Sequence, residues 1–104
     1  MNSNKLLPMG TVVYLNGGKL ELMIVSRQPI LNMDGTEVYF DYAGISHILG
    51  LDPKQIVYFN RENISEIVFT GYESDNEDRL QDAFAEWRDN NPEIPKGKVE
   101  TDRN

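Results

Sequence analysis

Alternation of apolar and polar residues dominates the first seventy positions. Thr11 to Leu15, TVVYL, is rich in β-branched and aromatic residues, as strands are. Asn16-Gly17-Gly18 follows, and an Asn-Gly pair offers the positive φ of a tight hairpin turn. Lys19 to Ser26 then reads as the returning strand, with Leu20, Leu22 and Ile24 on one face and Glu21, Met23 and Val25 on the other. Pro29 lacks a ladder donor and marks a bend, beyond which Ile30-Leu31 can continue the strand. Asn32-Met33-Asp34-Gly35 predicts a second tight turn, and Glu37 to Ala43 a third strand, completing an antiparallel meander.

Gly44 to Pro53 is less regular. Its glycines and the Asp52-Pro53 step predict an ordered loop, whose Ile45, Ile48, Leu49 and Leu51 are expected to cover part of the core. Lys54 to Phe59 predicts a fourth strand. Asn60 to Asn63 is too polar for a sheet interior and reads as a helical turn capped by Asn60. Ile64 returns the chain to the core, and Glu66 to Thr70 makes a fifth strand ended by Gly71.

The period changes after Tyr72. Leu80, Ala83, Phe84 and Trp87 recur at helical spacing, predicting a helix over 74–90 that docks by this stripe. Ser74-Asp75-Asn76-Glu77 has the form of a capping box, and Asn90-Asn91-Pro92 stops the helix. Residues 92–104 carry no apolar period and read as a disordered tail. The expectation is a single α+β domain over 1–91, with sheet in 10–72 and helix in 74–90. The sheet is a five-stranded, bent antiparallel one or a small SH3-like barrel. An open sheet with the helix on one face is the alternative.

Composition narrows the function classes. The 104 residues carry a formal charge of −7. Residues 1–70 contribute −2 and residues 71–104 contribute −5. An acidic chain repels phosphate backbones, so nucleic acid is not an expected partner. There is no cysteine, which removes disulfides and thiolate metal sites. No apolar run reaches signal-peptide or membrane-span length, so the expectation is a cytoplasmic protein without membrane insertion.

Candidate chemistry is sparse. His47 is the one histidine, and it has no cysteine or second histidine as a metal-ligating companion. The carboxylates Asp41, Glu62 and Glu66 are not spaced to embrace one substrate, and the serines have no base pattern around them. Gly17-Gly18 is too short for a phosphate loop. The expectation is therefore no catalytic residue, no metal and no cofactor. Aromatic residues stand out more. Tyrosines 14, 39, 42, 58 and 72 fall on strands or strand ends, where core packing is the plain reading and a partner-binding face the rival. Tyr39, Asp41, Tyr58 and Trp87 are the candidate partner-binding residues.

The order of these signals resembles a known family. Leu7-Pro8-Met9-Gly10-Thr11-Val12-Val13, the Gly17-Gly18 turn, Leu22-Met23-Ile24 and Arg27 are similar to its opening. Asp41-Tyr42-Ala43-Gly44 resembles its central Asp-Tyr-x-Gly. Tyr58-Phe59-Asn60, Ile64, Ile67-Val68-Phe69 and Gly71-Tyr72 resemble its closing segment. This is the domain-of-unknown-function family 4176, small proteins of Gram-positive bacteria typically encoded beside LXG-type toxins of type VII secretion. The resemblance spans about residues 6–75. Ser46-His47-Ile48-Leu49-Gly50 stands where a Tyr-Pro-x-Gly-like segment is usual. What the resemblance implies is an accessory role, as adaptor, chaperone or targeting factor for a toxin before export. An immunity protein that neutralises a toxin domain is the alternative.

Overall fold

The computed structural model describes residues 5–99. Seven strands are present: β1 Val12–Leu15, β2 Leu22–Arg27, β3 Ile30–Met33, β4 Thr36–Tyr39, β5 Tyr42–Ser46, β6 Val57–Phe59 and β7 Ile64–Phe69. One helix follows, α1 Glu77–Asn90. Five strands form an antiparallel sheet in the order β6-β5-β2-β1-β7, and β3 and β4 pair as a separate hairpin. The class is α+β, as the sequence predicts.

The meander is present, with a bend that divides it. β2 and β5 pair from Leu22↔Ser46 to Arg27↔Tyr42, and the same hairpin resumes as β3 and β4 beyond Gln28-Pro29. Gln28 takes a φ of 59°, a left-handed value unusual for a residue with a side chain. Its amide donates to the Asp41 carbonyl at 2.8 Å, and the Phe40 amide donates to the Pro29 carbonyl at 3.0 Å. These bonds carry the ladder around the corner. The expected third strand, 37–43, is thereby split into β4 and β5. β5 also runs on through Gly44-Ile45-Ser46, read from sequence as loop. Gly44 is there because a Cβ would lie 3.0 Å from the Phe59 ring and 3.2 Å from the Met23 carbonyl.

The two tight turns differ. Asp34 and Gly35 both take positive φ, 57° and 84°, as a two-residue primed turn requires. The Asn-Gly site does not make the expected two-residue hairpin. Gly17 supplies positive φ in a turn closed by the Gly18 amide on the Leu15 carbonyl at 2.9 Å, but β2 begins only at Leu22. β1 runs on beyond its pairing with β2 along β7, where Leu15 pairs with Ile64 and the Asn16 amide donates to the Asn63 carbonyl at 2.8 Å.

The sheet is bent but is not a closed barrel. β6 and β7 follow each other in the chain yet form its opposite edges. Flat, five strands would span about 19 Å from edge to edge. Phe59 to Ile64 includes a 3-10 turn, Arg61–Asn63, and cannot comfortably reach that far. Curvature resolves the conflict, and register shifts at Val12/Val13, Tyr14/Leu15 and Ile24/Ser26 provide it. No ladder joins β6 to β7, so the barrel expectation is corrected to an open, curled sheet. The fourth strand is also shorter than expected, since Pro53–Gln55 is a 3-10 turn capped by Asp52.

The core lies inside this curl. Leu6, Val13, Leu22, Ile24, Tyr42 and Phe59 are its buried members, and Ile64, Phe84 and Val99 pack against it. The Tyr42 and Phe59 rings meet at 5.5 Å between centroids. The Tyr42 hydroxyl accepts from the Leu7 amide at 2.9 Å, which lets a phenol sit in an apolar core. Burial pushes its pKa up.

Helix α1 docks by a face rotated from the expected stripe. Leu80 is 39% exposed and Ala83 is exposed, whereas Phe84 and Trp87 are half-buried. Polar residues complete the interface. Arg27 Nη1 donates to Glu77 Oε2 at 2.8 Å, the Gln81 amide exchanges bonds with the Leu6 backbone at 2.9 and 2.8 Å, and Arg88 Nη1 donates to Gln28 Oε1 at 2.8 Å. This explains the missing capping box: the Glu77 carboxylate is turned to Arg27, and Ser74 Oγ accepts from the Asn76 amide at 3.1 Å.

The tail expectation needs the clearest correction. Residues 92–99 are seated on the domain. The Tyr39 amide donates to the Pro95 carbonyl at 3.0 Å and the Gly97 amide to the Tyr39 carbonyl at 2.7 Å, while Val99 reaches the core. A segment held by backbone bonds and single anchors shows no apolar period. Residues 100–104 lie outside the described residues.

Candidate protein-binding surface

The end of β5 builds an apolar surface from a tight polar turn. Ser46 Oγ accepts from the amides of Ile48 and Leu49 at 3.2 and 3.0 Å, and its carbonyl accepts from the Gly50 amide at 2.9 Å. Gly50, at φ 87°, completes the reversal. Three apolar side chains are thereby turned to solvent instead of covering the core. Leu49 is 86% exposed, Ile48 73% and Leu51 69%, and Leu20 across the β1–β2 loop is 64% exposed. Only Ile45 of the apolar loop residues is buried. Leu20, Leu49, Leu51, Ile56 and Val57 line a cleft of about 590 Å³.

A second apolar surface lies on the other side of the same strand ends. Successive strand residues alternate between faces. Leu22 and Ser46 line the cleft, while Glu21 and His47 line a depression of about 360 Å³ with Val12, Val68 and Phe69. Strand β7 is an edge of the sheet, and along it Ile67, Val68 and Phe69 are exposed. His47 is exposed at this rim. Nearby, the Tyr14 hydroxyl donates to Glu21 Oε2 at 3.1 Å, and that bond together with the Glu21 charge raises the Tyr14 pKa.

Four residues were singled out from sequence as partner-binding. Tyr39 and Trp87 are brought together, edge to face, at 5.5 Å between ring centroids. Tyr58 is half-buried against Phe40 at 6.0 Å. Asp41 is buried, and its carboxylate accepts from the Arg61 amide at 2.8 Å and pairs with Lys96 Nζ at 2.9 Å. Its charge is therefore already committed within the chain. Burial pulls the Lys96 pKa down, but the bond to Asp41 and the charges of Asp41 and Glu62 outweigh burial and hold it above the ordinary ammonium value. The cluster thus gathers around the C-terminal segment, away from the cleft. Sequence reading missed Leu20, Ile48, Leu49 and Leu51 as surface. The available signal was Gly50 between leucines on a polar turn, a place where apolar residues cannot all point inward.

Among the described residues, no group of three or more His, Asp or Glu side chains is arranged to hold a metal ion. Among them, too, no helix is long and apolar enough to cross a membrane. No curated protein and no solved structure matches the chain. The family model described as domain of unknown function (DUF4176) matches residues 6–80, which hold every strand and the first turn of α1. The chain thus belongs to the DUF4176 family of domains of unknown function.

Proposed function

We propose that this chain is a non-enzymatic accessory protein, an adaptor, chaperone or targeting factor, that binds an LXG-type toxin in the cytoplasm for type VII secretion. The observation that carries the reading is the cleft ringed by Leu20, Leu49 and Leu51, with Ile48 beside it. Large exposed apolar side chains grouped on one surface mark an interaction site. Fully burying each contributes roughly 1.5–3 kcal/mol. Four such side chains give a gross gain comparable to the cost of association itself, about 4–15 kcal/mol, so polar rim contacts must add to them. An amphipathic helix of the toxin's export region, laid in the cleft, would supply both.

Co-expression with an LXG-type toxin of the same genome tests the proposal. A complex that co-purifies, and that Leu49→Asp with Leu51→Asp abolishes while the circular dichroism spectrum is kept, supports it. No complex, with toxin secretion unchanged after deletion of this chain, overturns it.

The immunity reading has its own observation. Asp78, Asp82, Glu86 and Asp89 follow one exposed face of α1, an acidic stripe suited to a basic active site. Protection of cells expressing the isolated toxic domain would favour it over the adaptor.

A further inference from the structure

We propose that the groove between Tyr39, Asp41 and Asn60 is a peptide-binding site, selective for an extended segment with a cation followed by glycine, which residues 95–99 occupy in cis. Strand-addition sites draw affinity from main-chain pairing and selectivity from side-chain pockets. Both are here. The strap pairs in parallel with Tyr39, which donates to the Pro95 carbonyl and accepts from the Gly97 amide. Lys96 Nζ lies 2.9 Å from Asp41 Oδ2 and 3.4 Å from Glu62 Oε1. The buried Asn60 amide donates to the Gly97 carbonyl at 2.8 Å, and its oxygen accepts from the Asp41 amide at 3.0 Å.

Two features give the groove its selectivity. Gly97 lies so close to the buried Phe40 ring that a Cβ fits only if that ring shifts. Asp41 Oδ2 holds both the Arg61 amide and Lys96 Nζ, so a segment with a cation at this position supplies the counter-charge that a neutral or acidic one would not. The groove therefore demands a cation at the first position and glycine at the second. Val99 lines a further recess together with Leu15, Gly17 and Asn63, and packs against the core. Tyr39, Phe40, Asp41 and Asn60 lie within residues 6–80 matched by the family, whereas the strap lies beyond them.

A short tether gives the strap an effective concentration of roughly millimolar, enough to exclude a weaker competitor. A fluorescent peptide of residues 92–99 is the probe, titrated by anisotropy against the full chain and against full chains carrying Gly97→Val or Lys96→Glu. Tryptic cleavage after Lys96 or Lys98 reports strap release. The released chains are expected to bind the peptide at least about tenfold more tightly than the parent. A peptide with valine for Gly97, or a further Asp41→Asn change, is expected to abolish that binding. A released strap with no peptide bound, or binding indifferent to the glycine, overturns the proposal. Loss of the fold in both variants makes the strap part of the core and overturns it too. The proposal is independent of the export reading, since a chain that captures this peptide and ignores the toxin separates the two.

Discussion

Arg27 and Glu77 meet across the helix–sheet interface, Nη1 to Oε2 at 2.8 Å, with each side chain only 8% exposed. The Arg27 guanidinium also donates to the Leu7 carbonyl at 3.3 Å and lies 5.1 Å over the Phe84 ring. One planar group thus ties the N-terminal lead, the sheet and the helix. Removing one partner leaves the other charge buried and alone, so Arg27→Met and Glu77→Leu are each expected to cost about 3 kcal/mol on their own. Arg27→Met with Glu77→Leu is expected to cost less than either single change. Urea unfolding of the four chains checks this, and additive losses would mean that the pair is not coupled.

The same pair sets an acid sensitivity. The hydrogen bond from Arg27 holds the Glu77 carboxyl below its ordinary value of 4.5, against the opposing effect of burial. A carboxylate depressed in the folded chain binds fewer protons there than in the unfolded chain. Its contribution is complete at neutral pH, begins to fade as pH falls below 4.5, and is lost once pH passes the folded value. Glu77→Gln is therefore expected to be less stable than the parent at neutral pH, and the gap to narrow under acid. Melting temperatures of both chains from neutral pH down to about pH 3 test the sign.

Helix docking separates two residues that sequence periodicity groups together. Leu80→Asp is expected to cost no more than about 1 kcal/mol, because that side chain is only partly covered and the loss is mainly of helix propensity. Phe84→Ala removes a ring packed on the core and under Arg27, and is expected to cost about 3 kcal/mol. Thermal melts followed by circular dichroism at the helix band distinguish the two. Equal losses would restore the original stripe.

What was legible follows from which forces carry a period. Strand alternation put Leu22 and Ile24 on one face and Met23 and Val25 on the other, and in β2 the first pair is buried while the second is half-buried. Asp34-Gly35 was legible through its φ values. Helix existence was legible too, but not its facing. Glu77, Gln81 and Arg88 dock by hydrogen bonds, and polar residues at an interface look like surface in a hydrophobic pattern. The strap escaped for a related reason, since Lys96 and Gly97 are recognised one contact at a time. Ile48, Leu49 and Leu51 misled because apolar character was taken to mean burial, whereas Ile45 is buried as expected. Of the candidate partner-binding residues, Asp41 was legible as important but not as internal, since its counter-charge stands 55 positions later in the strap.

Tyr42 offers a narrow test of core polarity. Its ring is fully buried and its hydroxyl accepts from the Leu7 amide. Tyr42→Phe keeps the ring packing against Phe59 but leaves that amide without its partner. The expected loss is about 1–3 kcal/mol, depending on whether water reaches Leu7. Faster amide exchange at Leu7, with the other core amides unchanged, would localise the effect. Uniformly faster exchange would mean that the bond supports the whole core.

Strand β7 holds the last contrast. Ile64 opens the strand opposite Leu15 and packs against the core, while Phe69 ends it opposite Val12 with its ring 61% exposed. Both belong to one strand, Ile64–Phe69. Burying an unpaired carboxylate at the first position sets a desolvation penalty against an already thin core, so Ile64→Asp is expected to cost about 3 kcal/mol or more. At the second position water still reaches the new charge, and Phe69→Asp is expected to stay within about 0.5 kcal/mol of the parent. Chemical unfolding gives the two stabilities directly. An Ile64→Asp chain as stable as the parent would move the strand's anchor elsewhere. A Phe69→Asp chain that unfolds would mean that the exposed end of β7 braces the sheet, leaving less of that surface free for a partner.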